Sequence, residues 1–197
     1  MIKNRLKIAI LTTALLTTSL FAENSGYQYD AKSLVAIEGG YDSFSTETSS
    51  NSSYSSTQDG QGHIGLKIGA QSGNYRVFLS ARYYVDPQSK YDYVTSYGIE
   101  GQYLFKIMPA ADFFVGLNGG LTNMKFKIAG ENFSRTISDP YYGGDIGLNF
   151  HITKGVDFEL GTRYMSMDSS NIKNNITYRF NSIVTAYSSI IFKYKMD

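Results

Sequence analysis

Residues 74–87 read NYRVFLSARYYVDP, and the side chains of this stretch alternate in character from one position to the next. One parity carries no charge and consists of Tyr75, Val77, Leu79, Ala81, Tyr83 and Val85. The other parity holds Arg76, Phe78, Ser80, Arg82 and Tyr84. Period-two alternation predicts a β-strand with two different faces. We interpret the uncharged face as the one that meets an apolar surrounding.

Seven further segments follow the same period, and helical spacing is not sustained after the first 22 residues. The eight predicted strands are 33–41, 60–70, 75–85, 94–106, 113–125, 142–152, 156–167 and 182–196. Each has about the 9 to 11 residues that a tilted strand needs to cross a bilayer, or slightly more. The pattern therefore predicts an all-β protein that crosses a membrane with strands.

The connections alternate between short and long. The short links are QSGN at 71–74, IMPAAD at 107–112 and TKG at 153–155, whereas 42–59, 86–93, 126–141 and 168–181 are long and polar. An eight-stranded antiparallel up-and-down barrel has this rhythm, with tight periplasmic turns and longer external loops. Both termini would be periplasmic. The alternative, that 43–59 links two domains, is disfavoured because a single preceding strand cannot fold alone.

The first 22 residues have the pattern of a secretory signal peptide. Lys3, Arg5 and Lys7 precede an apolar run that ends in small residues at Ala22. A membrane-anchoring helix is the alternative, but the run is shorter than the ~20 apolar residues that a span needs. Residues 23–197 are then one barrel domain in a bacterial outer membrane.

Charge and cysteine content exclude several classes of function. Removing the three leader bases from 18 basic residues leaves 15 against 17 acidic ones, a net charge of −2. This balance does not favour a nucleic-acid partner. Cysteine is absent, which excludes disulfides and thiol catalysis.

The uncharged parity predicts the lipid-facing surface, because aromatic rings concentrate near the strand ends and aliphatic or small side chains lie between them. The predicted aromatic girdle consists of Tyr75, Tyr83, Tyr97, Tyr103, Phe105, Tyr142, Phe150, Phe192 and Tyr194.

The opposite parity predicts a charged lumen. Three acids and three bases at mid-depth form the predicted ion network: Glu38, Lys67, Arg82, Glu100, Glu159 and Arg163. Glycines share this parity at positions 65, 69, 98, 116, 120, 143, 147 and 161, and they permit the strong coiling of a small barrel. Since eight strands enclose a space that side chains just fill, we expect a plugged barrel.

A leader, eight alternating strands, a charged interior and the final strand SIVTAYSSIIFKYKMD resemble the small Gram-negative outer-membrane barrels, the group of OmpA-like transmembrane domains, OmpX and opacity-type proteins. The resemblance covers the mature chain and is architectural. We expect membrane lipid and lipopolysaccharide as its surroundings, and a monomer. One departure is that the chain ends in Met196 and Asp197 where the family usually has an aromatic residue.

Enzymes exist on barrels of this type, so His63 and His151 are the candidate catalytic bases. A serine hydrolase needs serine, histidine and carboxylate within hydrogen-bond reach, and neither histidine lies with a serine on the lipid-facing parity. Two separated histidines also give no metal-ligand spacing. We therefore expect no enzyme activity, cofactor or metal site.

The external loops are the surface on which function is expected, because loops on a rigid scaffold carry most binding sites. The aromatic contact candidates are Phe126, Phe133, Tyr178 and Phe180. We predict a structural or surface-adhesion role through contacts to host or cell-surface protein or glycan. The alternatives are solvated loops without a partner, a lipid A-modifying enzyme, a narrow passive pore, and a soluble lipocalin-like barrel.

Overall fold

The computed structural model describes residues 31–50, 53–85, 91–126, 135–173 and 176–195. The predicted leader at 1–22 and the residues up to 30 lie outside these ranges, as do Met196 and Asp197. The described chain forms β1 (Ala31–Ser50), β2 (Ser53–Ser72), β3 (Tyr75–Val85), β4 (Tyr91–Met108), β5 (Ala111–Phe126), β6 (Arg135–Thr153), β7 (Val156–Lys173) and β8 (Ile176–Lys195).

The eight strands close into one antiparallel barrel in sequence order, with β8 pairing back onto β1. This confirms the predicted all-β, eight-stranded up-and-down barrel. Closure gives the backbone groups of each strand inter-strand partners, which the interior of a bilayer requires. No helix within the described ranges is long and apolar enough to span a bilayer.

Side-chain parity along β3 agrees with the closed geometry. Arg76 and Phe78 are buried, whereas Tyr75 and Val77 expose 67% and 51% of their surface. A closed barrel makes one parity face the lumen and the other face outward. Phe78 and Tyr84 therefore fill the lumen beside the arginines, although they are aromatic.

Three tight turns connect strands at one end of the barrel, which we call the turn end. Residues 73–74, 109–110 and 154–155 form these turns, so each turn is shorter than the predicted link. Gly73 has φ 56°, a left-handed conformation that favours glycine in a two-residue hairpin turn.

At the opposite end the strands are longer than predicted. β1 runs to Ser50 and β2 begins at Ser53, so most of the predicted loop at 42–59 is paired strand. β7 and β8 likewise extend through most of 168–181, and β6 begins at Arg135 within 126–141. The loop prediction was wrong because serine and threonine content indicated a loop, whereas β-branched threonines such as Thr46 and Thr57 pair across the ladder.

At one inward-facing position, two neighbouring strands approach so closely that only glycine fits. A Cβ atom added to Gly143 would lie 1.8 Å from the carbonyl oxygen of Tyr164 on the neighbouring strand. No side chain fits that approach without a backbone shift. Glycine here lets β6 and β7 coil closely around the lumen.

Candidate functional site

The lumen buries a network of charged side chains. All six residues predicted for it are buried, with no more than 3% of their surface exposed: Glu38, Lys67, Arg82, Glu100, Glu159 and Arg163. They come from β1, β2, β3, β4 and β7, whose inward parities converge at mid-depth. Burying ions is costly unless each one is paired and hydrogen-bonded.

Glu38 on β1 is the centre of this network. Arg163 donates from Nη1 to Oε1 at 3.0 Å and from Nη2 to Oε2 at 3.1 Å. Arg82 donates from Nε to Oε1 at 2.6 Å, and Lys67 Nζ lies 3.0 Å from Oε2. His63 Nε2 is 3.1 Å from Oε1. One carboxylate therefore contacts cationic or imidazole groups on three other strands.

Two further carboxylates complete the core of the network. Glu100 accepts a hydrogen bond from Arg82 Nη2 and another from Arg163 Nη2 at 3.2 Å. Lys67 Nζ lies 3.0 Å from Glu159 Oε1 as well as from Glu38. The six residues thus form one continuous set of ion pairs.

The network continues toward the turn end through residues that were not in the predicted set. Arg76 donates to Glu159 Oε2 and to Asp157 Oδ2, both at 3.2 Å. Lys193 Nζ donates to Asp157 Oδ1 at 2.5 Å. His151 lies between Asp157, at 3.0 Å, and Asp112, at 3.1 Å. Asp112 and Lys193 could have been assigned to the network from the sequence, because both have the inward parity close to a strand end.

Apolar clusters lie on both sides of the charges. At the end opposite the turns is a cluster that we call the outer plug, formed by Phe44, Tyr84, Val94, Tyr141, Met165, Met167 and Ile183. On the turn side the second cluster contains Leu34, Ala36, Phe78 and Ile191. The guanidinium carbon of Arg163 lies 4.3 Å from the centre of the Tyr187 ring, a cation–π contact. The lumen is filled along its length by side chains.

The outer surface carries two aromatic belts. Every residue of the predicted girdle lies on the outward parity. At the turn end are Tyr75, Tyr103, Phe105, Phe150, Phe192 and Tyr194, together with Phe113 and Phe158, which the prediction missed. At the other end are Tyr83, Tyr97 and Tyr142, together with Tyr41 and Tyr164, which it also missed.

The spacing of the belts suits a membrane. Tyr75 and Tyr83 stand eight positions apart on β3, which is about 20 Å along the axis at a tilt of about 40°. The exposed side chains between the belts are mainly aliphatic, including Leu66, Val77 and Leu117. This height is close to the apolar band of about 25 Å that outer-membrane barrels present to hydrocarbon.

Solved structures share this architecture. The chain matches Neisserial surface protein A at TM-score 0.55 and 16% identity, covering 79% of this chain and 97% of that one. It matches OprG from Pseudomonas aeruginosa at TM-score 0.56 and 13% identity, covering 83% and 97%. It also matches OprH from P. aeruginosa at TM-score 0.55 and 19% identity, covering 83% and 99%. The chain has the fold of the small eight-stranded outer-membrane barrels. No family model and no curated protein matches the sequence.

Within this outer-membrane-barrel fold, each histidine is held between two carboxylates. His63 Nδ1 lies 2.7 Å from Asp42 Oδ2 while Nε2 faces Glu38. His151 has the corresponding arrangement with Asp112 and Asp157. With both ring nitrogens occupied by carboxylates, neither histidine faces a serine as a general base does. Among the described residues no group of three His, Asp or Glu side chains is placed to hold a metal ion.

The four loop contact candidates fall where side chains are not described. Phe126 is the last residue of β5, and Tyr178 and Phe180 lie in β8, so the prediction that these three belong to loops was wrong for the backbone. Phe133 lies outside the described residues. Contact of these rings with a partner stays a prediction.

Proposed function

We propose that this protein is an outer-membrane barrel that presents a protruding β-sheet for surface adhesion, with the barrel serving as a rigid, sealed anchor. The observation that carries this proposal is the unequal length of the strands at the end opposite the turns. The fold of the matched outer-membrane proteins supports the location, and the predicted leader at 1–22 supports export with both termini in the periplasm.

The protruding sheet is the continuation of β7, β8, β1 and β2 beyond the outer aromatic belt. From Tyr41 in that belt, β1 continues nine residues to Ser50, about 30 Å along the strand. Its partners continue with it, since Ser49 pairs with Tyr54 on β2 and with Thr177 on β8. β7 pairs with β8 as far as Lys173.

The β2 edge of the protruding sheet has no second partner strand among the described residues. β3 pairs with β2 only from Ser72 to Gly62, so residues 53–61 have β1 as their one partner among the described strands. An unpaired edge presents backbone N–H and C=O groups that can pair with an extended segment of another protein. The edge is therefore suited to adding a partner strand, and loop side chains would contribute further contacts.

The interior supports an anchoring role over transport or catalysis. Ion pairs and apolar clusters fill the lumen on both sides of mid-depth. A filled lumen leaves no wide path for solutes. Both histidines are engaged by carboxylates.

The test is adhesion by bacteria that display the protein. One variant replaces residues 46–57 with a two-residue turn, which removes most of the open edge and leaves the membrane band intact. The matched control is Thr57→Ala, which changes a side chain and keeps the strand. We expect the deletion to abolish adhesion to protein-coated surfaces and the control to retain it. Equal adhesion by both, with both barrels shifting mobility on heating, would contradict the proposal.

A further inference from the structure

We propose that the rim at the turn end binds the headgroups of anionic phospholipids through Lys32, Lys154 and Lys195, the rim lysines. Lys32 on β1 and Lys195 on β8 are direct cross-strand partners. Lys154 is in the turn between β6 and β7, and that turn lies beside β8 because the Lys193 N–H donates to the Gly155 carbonyl at 2.8 Å. The three ammonium groups thus belong to neighbouring strand ends.

The rim lysines have no counter-ion among the residues that the structure describes. Like charges directly opposite on paired strands are destabilising, and none of the three forms an ion pair with any residue in the described part of the chain. Lys193, only two positions from Lys195, does reach Asp157. The buried acids of this rim, Asp112 and Asp157, are already engaged by Lys193, Arg76 and His151. The rim lysines therefore form a positive patch that an external anion can neutralise.

The position of the rim lysines beside the aromatic belt indicates which kind of anion binds them. Tyr194 of the aromatic belt is 56% exposed on the outward parity, and Lys195 follows it at the end of β8, exposed at the mouth of the barrel although it has the inward parity. Ile152, two positions before Lys154, is 63% exposed and continues the apolar band. Aromatic belts lie at headgroup level, and basic side chains beside them attract anionic lipid. A ligand with acyl chains and a phosphate fits this border of apolar and cationic groups.

This inference rests on the membrane insertion that the proposed function also assumes, and it is independent of the protruding sheet. An experiment can therefore contradict one of the two proposals without contradicting the other. A protein that never forms a heat-modifiable barrel in lipid contradicts both proposals. A well-inserted barrel without lipid preference contradicts only the present one.

The experiment titrates the barrel in zwitterionic micelles with short-chain phosphatidylglycerol and, separately, with short-chain phosphatidylcholine, following the amide resonances of Gly155 and Lys195. We expect saturable shifts with phosphatidylglycerol only. In the triple variant K32Q/K154Q/K195Q binding should weaken by about fivefold for each lysine removed.

The matched control is K106Q. Lys106 is exposed at the same end but lies on β4, which pairs with β3 and β5 and not with β1 or β8, so it is not part of the patch. We expect K106Q to bind phosphatidylglycerol as the wild type does. Equal affinity for the two lipids, an unchanged triple variant, or an equal loss in K106Q would each overturn the proposal.

Discussion

Arg163 holds both carboxylate oxygens of Glu38, at 3.0 and 3.1 Å, although 125 positions separate the two residues in sequence. β8 lies between their strands, so the pair spans the lumen instead of a single ladder. The bidentate geometry gives two charge-assisted hydrogen bonds, which are among the stronger polar contacts in proteins.

The first prediction concerns this central carboxylate. Glu38→Gln should lower the free energy of unfolding by about 3 to 5 kcal/mol, because it leaves buried cations without their shared counter-ion. The control is Asp112→Asn at the rim, whose one ion-pair partner among the described residues is His151. Urea unfolding in micelles, followed by tyrosine fluorescence, measures both. The interpretation fails if Asp112→Asn costs as much as Glu38→Gln.

The second prediction tests which surface meets lipid. Leu117 is 76% exposed and stands four positions from Phe113 and from Leu121, midway between the two belts. Leu117→Arg should cost about 2 to 4 kcal/mol in a bilayer, whereas Ile152→Arg beside the turn end should cost about 0 to 1 kcal/mol. Reversible unfolding from lipid vesicles gives both values. Equal costs at the two depths would be inconsistent with a membrane centred on Leu117.

The third prediction concerns glycine on the inward parity. Gly143→Ala should destabilise the barrel by about 1 to 3 kcal/mol, because the new methyl group meets the Tyr164 carbonyl and the strands must separate. Gly101→Ala on the outward parity is the matched control, since a Cβ there has no atom within 4 Å. The measurement is the midpoint temperature at which each variant loses the electrophoretic mobility of the folded barrel. Similar midpoints for the two variants would show that close strand approach is not the cause.

The fourth prediction concerns conduction. The outer plug, with Phe44 and Tyr84 in edge-to-face contact at 5.6 Å, seals the lumen next to the ion pairs. We expect no large, stable single-channel conductance in planar bilayers. The triple variant F44A/Y84A/M165A, which empties this cluster, should raise the frequency of conducting events. A stable large conductance from the wild-type protein would contradict a sealed barrel.

The fifth prediction concerns catalysis. His63→Gln and His151→Gln should leave the lipid A profile of expressing cells unchanged in mass spectra, because both rings serve as partners for buried carboxylates. His63→Gln should be the less stable of the two, since its ring is fully buried and His151 is partly exposed. A change in lipid A that disappears with either substitution would revive the enzyme hypothesis.

Much of the fold was predictable because a barrel imposes one strict rule on every strand. Period-two parity separated Leu117, which faces outward, from Glu100 and Arg163, which are buried. The alternation of short and long links was enough to predict the up-and-down order. These signals are local in sequence, so they do not depend on knowing which strands meet across the lumen.

Two features depended on information that local patterns do not carry. Serine and threonine are common in loops, so the continuation of β1 to Ser50 could be recognised only from its pairing with β2 and β8. Likewise, parity placed Glu38 and Arg163 in the lumen, but it did not predict that these two side chains contact each other. Which inward side chains meet depends on the stagger between strands, which closure of the whole barrel sets.

The placement of Glu38 on the first strand bears on how the molecule is assembled. Its cationic partners lie on β2, β3 and β7, and β7 is close to the C-terminal end of the sequence. A partly formed sheet that entered the hydrocarbon would contain charged side chains that have lost their water and have not yet met their ion-pair partners. Such a state has a high free energy. Entry into the bilayer and closure of the cylinder are therefore expected to proceed as one concerted event, after the chain has been delivered whole.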